Sequence, residues 1–118
     1  MTATRPGYVV RRAADAPTMP CPCGDSTRVL TAADGAPVSL HVTSIRDAAR
    51  HYHRDTTEVY YILSGTGKIE LNGDWVDLEP GTVVWIEPGT RHRLVSSGGV
   101  TTLVFALPAF NPADEFFD

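Results

Sequence analysis

Apolar and polar residues alternate with period two over Val38-Ser-Leu-His-Val-Thr-Ser-Ile45 and again over Lys68-Ile-Glu-Leu71. That is the pattern of half-buried strands, whose successive side chains point to opposite faces. Glu58-Val-Tyr-Tyr-Ile-Leu63, Thr82-Val-Val-Trp-Ile86 and Val100 to Leu107 are rich in β-branched and aromatic residues and predict further strands. Arg28 to Thr31, Trp75 to Leu78 and His92 to Val95 add short ones, and Tyr8-Val9-Val10 predicts another near the N-terminus. Turn signals separate them: Ala33 to Pro37, Ser64 to Gly67, Glu79-Pro80-Gly81, Glu87-Pro88-Gly89 and a loop over Ser96 to Gly99. Asn72-Gly73 is a strong two-residue hairpin signal. Three prolines between Ala16 and Gly24 predict a loop there, and Asp47 to Arg50 is the only helix candidate, one turn at most. Eight or more short strands at regular spacing predict an all-β fold, a sandwich or small barrel.

The chain has 118 residues, a length for one domain. The expected division is an N-terminal arm and proline-rich loop over 1–27, a barrel over 28–107, and a tail over 108–118. Phe110, Phe116 and Phe117 would be left wet on a free tail, so the tail is expected to pack back on the barrel. Ten glycines and nine prolines leave little room for long helices. A net charge of −4 argues against a nucleic-acid or anionic-membrane surface, because both need a basic face. No apolar run approaches the roughly 20 residues of a membrane span, and the opening MTATRPGYVV lacks an apolar signal segment, so a cytoplasmic protein is expected. Cys21 and Cys23 flank Pro22, a poor span for a relaxed disulfide. They read as two small apolar residues in a turn, as a reactive thiol beside a pocket, or as half of a metal site.

Three of the four histidines lie in two short motifs. On an extended strand His51 and His53 project from one face, and Glu58 opens the next strand after a short turn. His92 follows the Glu87-Pro88-Gly89 turn. Three imidazoles and a carboxylate converging from strand ends suit a divalent transition metal. They leave coordination positions open for substrate or oxygen. If Glu58 points inward, Tyr60, Ile62 and Ser64 share its face, while Val59, Tyr61 and Leu63 point outward. Tyr60 is then either an acid/base or substrate-binding phenol or a core tyrosine. His41 reads as a pocket residue or as a partly exposed one. Arg46, Arg50, Arg54, Arg91 and Arg93 flank the motifs. Of these, Arg46, Arg50 and Arg93 are candidates for gripping an anionic substrate, the alternative being salt bridges to Asp47, Asp55 and Glu87.

These residues resemble the cupins. His51, His53, Glu58 and Gly65 stand at the spacing of the first cupin motif, and Gly81, Gly89 and His92 at that of the second. Ile45 replaces the leading glycine of the first motif and Glu87 the first proline of the second; both are turn positions rather than ligands. The resemblance covers about residues 38–107. It implies a double-stranded β-helix (jelly-roll) barrel, one divalent metal on His51, His53, Glu58 and His92, and a small-molecule substrate. Iron(II) is the first expectation, with manganese, zinc, nickel or copper as alternatives.

The expected function is a metal-dependent enzyme on a small organic acid or carbonyl compound. Dioxygenase-like chemistry stands first, with isomerase or lyase chemistry beside it. The alternative is a non-catalytic sugar- or metabolite-binding module, and a third reading makes Cys21 and Cys23 a copper-binding or thiol pair. Val59, Tyr61 and Leu63 outside, with the arm around Tyr8 to Val10, point to a homodimer.

Overall fold

β-Branched and aromatic stretches do become strands, and they close on one another through a single long one. The computed structural model describes residues 7–21 and 24–118. Its strands are β1 (Thr18–Cys21), β2 (Gly24–Leu30), β3 (Ser39–Asp47), β4 (His51–Tyr52), β5 (Thr57–Ser64), β6 (Gly67–Leu71), β7 (Asp74–Leu78), β8 (Val83–Ile86), β9 (His92–Leu107) and β10 (Phe116–Phe117). Short 3-10 turns cover Ala13–Asp15, Ala32–Asp34 and Pro112–Asp114. None of the helices among the described residues is long and apolar enough to cross a membrane.

Every strand pairing is antiparallel, and β9 belongs to two sheets at once. Its second half, from Val100 on, runs between β3 and β5, in the order β1-β2-β3-β9-β5-β8. Its first half, His92 to Val95, pairs with β6, and His92 pairs with His51 of β4, giving β7-β6-β9-β4-β10. The result is an all-β jelly-roll barrel. Ser96 to Gly99, expected as a loop, is the place where this one strand bends from sheet to sheet. Ser96 Oγ donates to Thr66 O at 2.6 Å and accepts from Gly99 N at 3.0 Å, which meets the backbone needs of the bend. Gly65, at φ +85°, lies so close to Gly99 O that any Cβ would collide there. The β6–β7 hairpin turns through Asn72 and Gly73, both with positive φ, as their types predict.

The core is Ile45, Tyr60, Ile62, Ile69, Leu78, Val84, Ile86, Leu94 and Val100, drawn from the inner faces of both sheets. Along β5 the alternation holds through Glu58, Tyr60 and Ile62, all buried. It fails at Ser64, which is exposed because the β5–β9 register shifts between Ile62 and Ser64.

Three further expectations are corrected. Thr18 to Cys21 form a strand in spite of Pro20, because β1 pairs only with β2 and an edge strand tolerates a missing N–H. Tyr8, Val9 and Val10 form no strand: they pair with no sheet edge, and Tyr8 and Val10 stay 70% and 77% exposed. Asp47 to Arg50 form no helix; Asp47 ends β3, and Ala48 N donates to Leu94 O.

The tail lies against the barrel. Ala109 N donates to Pro37 O and Phe110 N to Ser39 Oγ, Asn111 caps the Pro112–Asp114 turn, and Phe116-Phe117 pair with β4. Arg54 sits 4.1 Å over the Phe116 ring, and Tyr52 stacks on it at 5.5 Å.

Candidate metal centre

Pairing of His51 with His92 across β4 and β9 brings two histidines distant in sequence to a ring separation of 4.2 Å. His53 follows on the same face as His51, and the adjacent turn is tied to it, since Gly89 N donates to His53 O at 2.7 Å. Glu58 enters from β5. The four residues are buried and each offers a ligand atom, all within 4.8 Å of one another.

Each imidazole is held in one orientation. Nδ1 of His51 donates to Ala49 O, Nδ1 of His92 to Thr90 O (both 2.9 Å), and Nδ1 of His53 to Asp114 O at 2.7 Å. All three Nε2 atoms are thereby left for the centre of the cluster. Glu58 Oε1 lies 3.0 Å from His53 Nε2 and 3.1 Å from His92 Nε2, yet none of these three buried atoms makes a well-directed hydrogen bond. They face a shared point rather than one another. Donors bound about 2.1 Å from one ion at right angles lie about 3.0 Å apart, so the cluster fits a divalent metal.

The electrostatics follow from burial and pairing. Burial works against charge on His53, but Glu58 outweighs it and raises the imidazole to about 9. Burial, helped by His92, lowers His51 to about 4. Burial also opposes ionisation of Glu58, and hydrogen-bond-range contact with His53 and His92 overcomes it, down to about 2.

The tail is part of this site, which the sequence reading missed. Asp114 is buried, and its carboxylate accepts from Arg54 N at 2.8 Å, Asp55 N at 3.1 Å and Thr56 Oγ1 at 2.8 Å. Burial raises its carboxyl, but those donors more than compensate and hold it below its ordinary value. The next residue, half-buried Glu115, brings Oε1 to 3.9 Å from His51 Nε2; burial, reinforced by Glu58, pushes its carboxyl up. The available signal was an acidic pair inside a segment whose phenylalanines demand burial.

A cavity of about 240 Å³ opens beside the cluster. Tyr60 borders it, 5% exposed, its ring edge-on to His92 at 6.1 Å. Burial first, then Glu58 and Glu115, push its phenol well above the ordinary value. His41 is buried and lines the same cavity, edge-on to Phe110. Arg46, Arg50 and Arg93 do not line it. Arg46 borders a separate groove with Asp25 and Gly99. Arg50 pairs with Glu70 and Asp118, and Arg93 with Asp47. Among the described residues the arginine that lines the cavity is Arg28, on a strand whose polar alternation carried no inward signal.

Cys21 also reaches the cavity rim, and it is disulfide-bonded. This corrects the expectation of separate thiols. Cys23 lies outside the described residues.

Known proteins place this geometry. Over 75 residues, 58% of the chain, it is 40% identical to a glucose-6-phosphate isomerase of Thermococcus gammatolerans. That match takes in only 38% of the relative's length, so the chain spans well under half of the curated relatives it matches. The crystal structure of a protein from Planctomyces limnophilus superposes with a TM-score of 0.86 at 34% identity, covering 98% of this chain and 100% of that one. A nucleoside dehydratase from Streptomyces superposes at 0.79 and 20% identity over 92% and 89% of the two chains, a likeness of fold. The family model described as the cupin domain matches residues 40–107, the stretch that holds all four donors; the chain belongs to the cupin family.

Proposed function

We propose that this protein is a divalent-metal-dependent enzyme acting on a small organic acid or carbonyl compound by proton transfer, as an isomerase or lyase. The observation that carries the reading is that Tyr60 and Glu115 border the same cavity as the four-donor cluster, both kept toward their protonated forms by burial. His51, His53, Glu58 and His92 would hold the metal, with iron(II), manganese, zinc, nickel and copper all compatible with the donor set. When bound, a divalent ion supplies a Lewis acid that polarises a substrate oxygen. Tyr60 donates a hydrogen bond to that substrate, and Glu115 accepts or returns the proton that moves. Relatives named as an isomerase and a dehydratase support this chemistry over oxygen activation.

The test is metal analysis of protein purified without added metal, followed by incubation with small hydroxy acids, keto acids and sugars in deuterium oxide. Deuterium incorporation or elimination, dependent on metal and without oxygen uptake, is expected. Oxygen consumption in step with substrate loss would make the protein an oxygenase instead, and ligand recovered intact and unexchanged would make it a binding module.

The protein is also proposed to act as a homodimer. Its outer sheet face carries Tyr61, Leu63, Val83, Trp85, Phe105 and Leu107, each 38–67% exposed and contiguous through the pairs Val59–Trp85, Tyr61–Val83 and Val59–Phe105. Sedimentation showing only monomer at micromolar concentration would refute it.

A further inference from the structure

Across the sheet that floors the cavity, Arg28, His41, Val104 and Tyr60 stand in one register row, each directly opposite the next. Residues opposite in register share a face, so all four side chains leave the same side of the sheet. Arg28 and Tyr60 are three strand steps apart, about 14 Å between backbones at ordinary strand spacing. The arginine thus stands at the far wall from the metal cluster, on the same floor.

Three features mark it as unassigned. Its Nε is buried without a hydrogen-bond partner, and among the described residues no carboxylate pairs with it. Its guanidinium lies 5.8 Å from the Phe110 ring centroid, and both residues line the cavity. Beside it, the buried Ser26 and Thr43 form the next row, also lining the cavity. Four other arginines, Arg11, Arg50, Arg91 and Arg93, have carboxylate partners; Arg93 Nε is also buried without a hydrogen bond, but its Nη2 pairs with Asp47, away from the cavity. A guanidinium that lines a cavity with no carboxylate opposite it is costly to bury unless a ligand meets it.

We infer that Arg28, flanked by Ser26 and Thr43, is the anion-binding end of the cavity, so that the substrate carries a carboxylate or phosphate at one end and a metal-directed oxygen at the other. This deepens the metal-enzyme reading and rests on it for the substrate's second end. The guanidinium grips two anionic oxygens side by side, and the hydroxyls of Ser26 and Thr43 complete the contacts. Burial, and then Arg28, hold the neighbouring His41 imidazole below its ordinary value, so the guanidinium is the charge this row offers an anion.

The experiment measures binding by calorimetry to zinc-loaded protein with paired probes: 3-hydroxypropionate against propane-1,3-diol, and glycerol 3-phosphate against glycerol. At least one anion should bind about tenfold to a hundredfold more tightly than its neutral partner. The pair with the larger ratio distinguishes carboxylate from phosphate. Arg28→Gln should reduce that ratio to within about threefold, with zinc content and melting temperature near wild type. Arg28→Lys, which keeps charge without the fork, should retain part of it, and it reports alone if the glutamine variant fails to fold. An undiminished preference in either variant, or none in the wild type, overturns the inference. Should the protein take up no zinc, the metal reading fails, and the same ratios measured on metal-free protein still decide the role of Arg28.

Discussion

The two ends of the cavity are built on opposite plans. At the metal end every imidazole is locked by a backbone carbonyl, and the tail supplies one of those locks from 61 residues away. At the arginine end the polar groups come from one register row and its neighbour, and Arg28 Nε is left without a partner. One end is pre-organised around a point; the other waits for a shape. Fixed orientation suits a small ion that tolerates little misplacement, whereas an open, donor-rich wall suits a ligand that brings its own acceptors.

The comparison breaks most completely if the cluster is taken apart. Glu58→Ala or His92→Ala should abolish stoichiometric metal, a loss of at least about a hundredfold in affinity, measured by competition with a chelating dye. Next comes the lock from the tail. Asp114→Ala removes the acceptor for Arg54 N, Asp55 N and Thr56 Oγ1, and so frees the carbonyl that orients His53. It should lower metal affinity about tenfold to a hundredfold with all four ligands intact. Unchanged affinity would show that His53 needs no such anchor.

Proton coupling comes third. In metal-free protein the His53–Glu58 pair holds the imidazole up to about 9, so its contribution to stability is complete below about 6.5 and is lost as pH rises through 9. Metal needs the neutral ring, so binding must displace one proton over that range. Affinity should climb about tenfold per pH unit from about 6.5 to 9 and then level off. A flat profile would mean His53 is already neutral. The smallest effect is at the surface: Arg93→Gln removes an exposed pair with Asp47 and should change stability by less than about 1 kcal/mol and anion preference not at all. A drop in anion binding there would move the recognition end away from Arg28.

Much of this could be read along the chain because it is local. Period-two alternation, Asn72-Gly73 and the Glu-Pro-Gly turns specify strands and hairpins through steric preferences of neighbouring residues. The spacing of His51, His53, Glu58 and His92 was visible for the same reason: each sits at a strand end whose parity the alternation sets. Where the local rules failed, a partner strand had intervened. Pro20 stands in a strand because that strand is an edge, Ser64 leaves the interior at a register shift, and Ser96 to Gly99 bend one strand between two sheets.

Residue types and their spacing thus decide the all-β class, the hairpins and the set of metal donors. Only the folded chain decides which charged side chains share the cavity with them. Arg50 and Arg93, near the histidines in sequence, pair with carboxylates outside the cavity, while Arg28, 23 positions before His51, lines it through two antiparallel pairings. Asp114 and Glu115 arrive through the docking of a tail. Distance along the chain says little about distance across a sheet, where register rather than sequence separation makes neighbours.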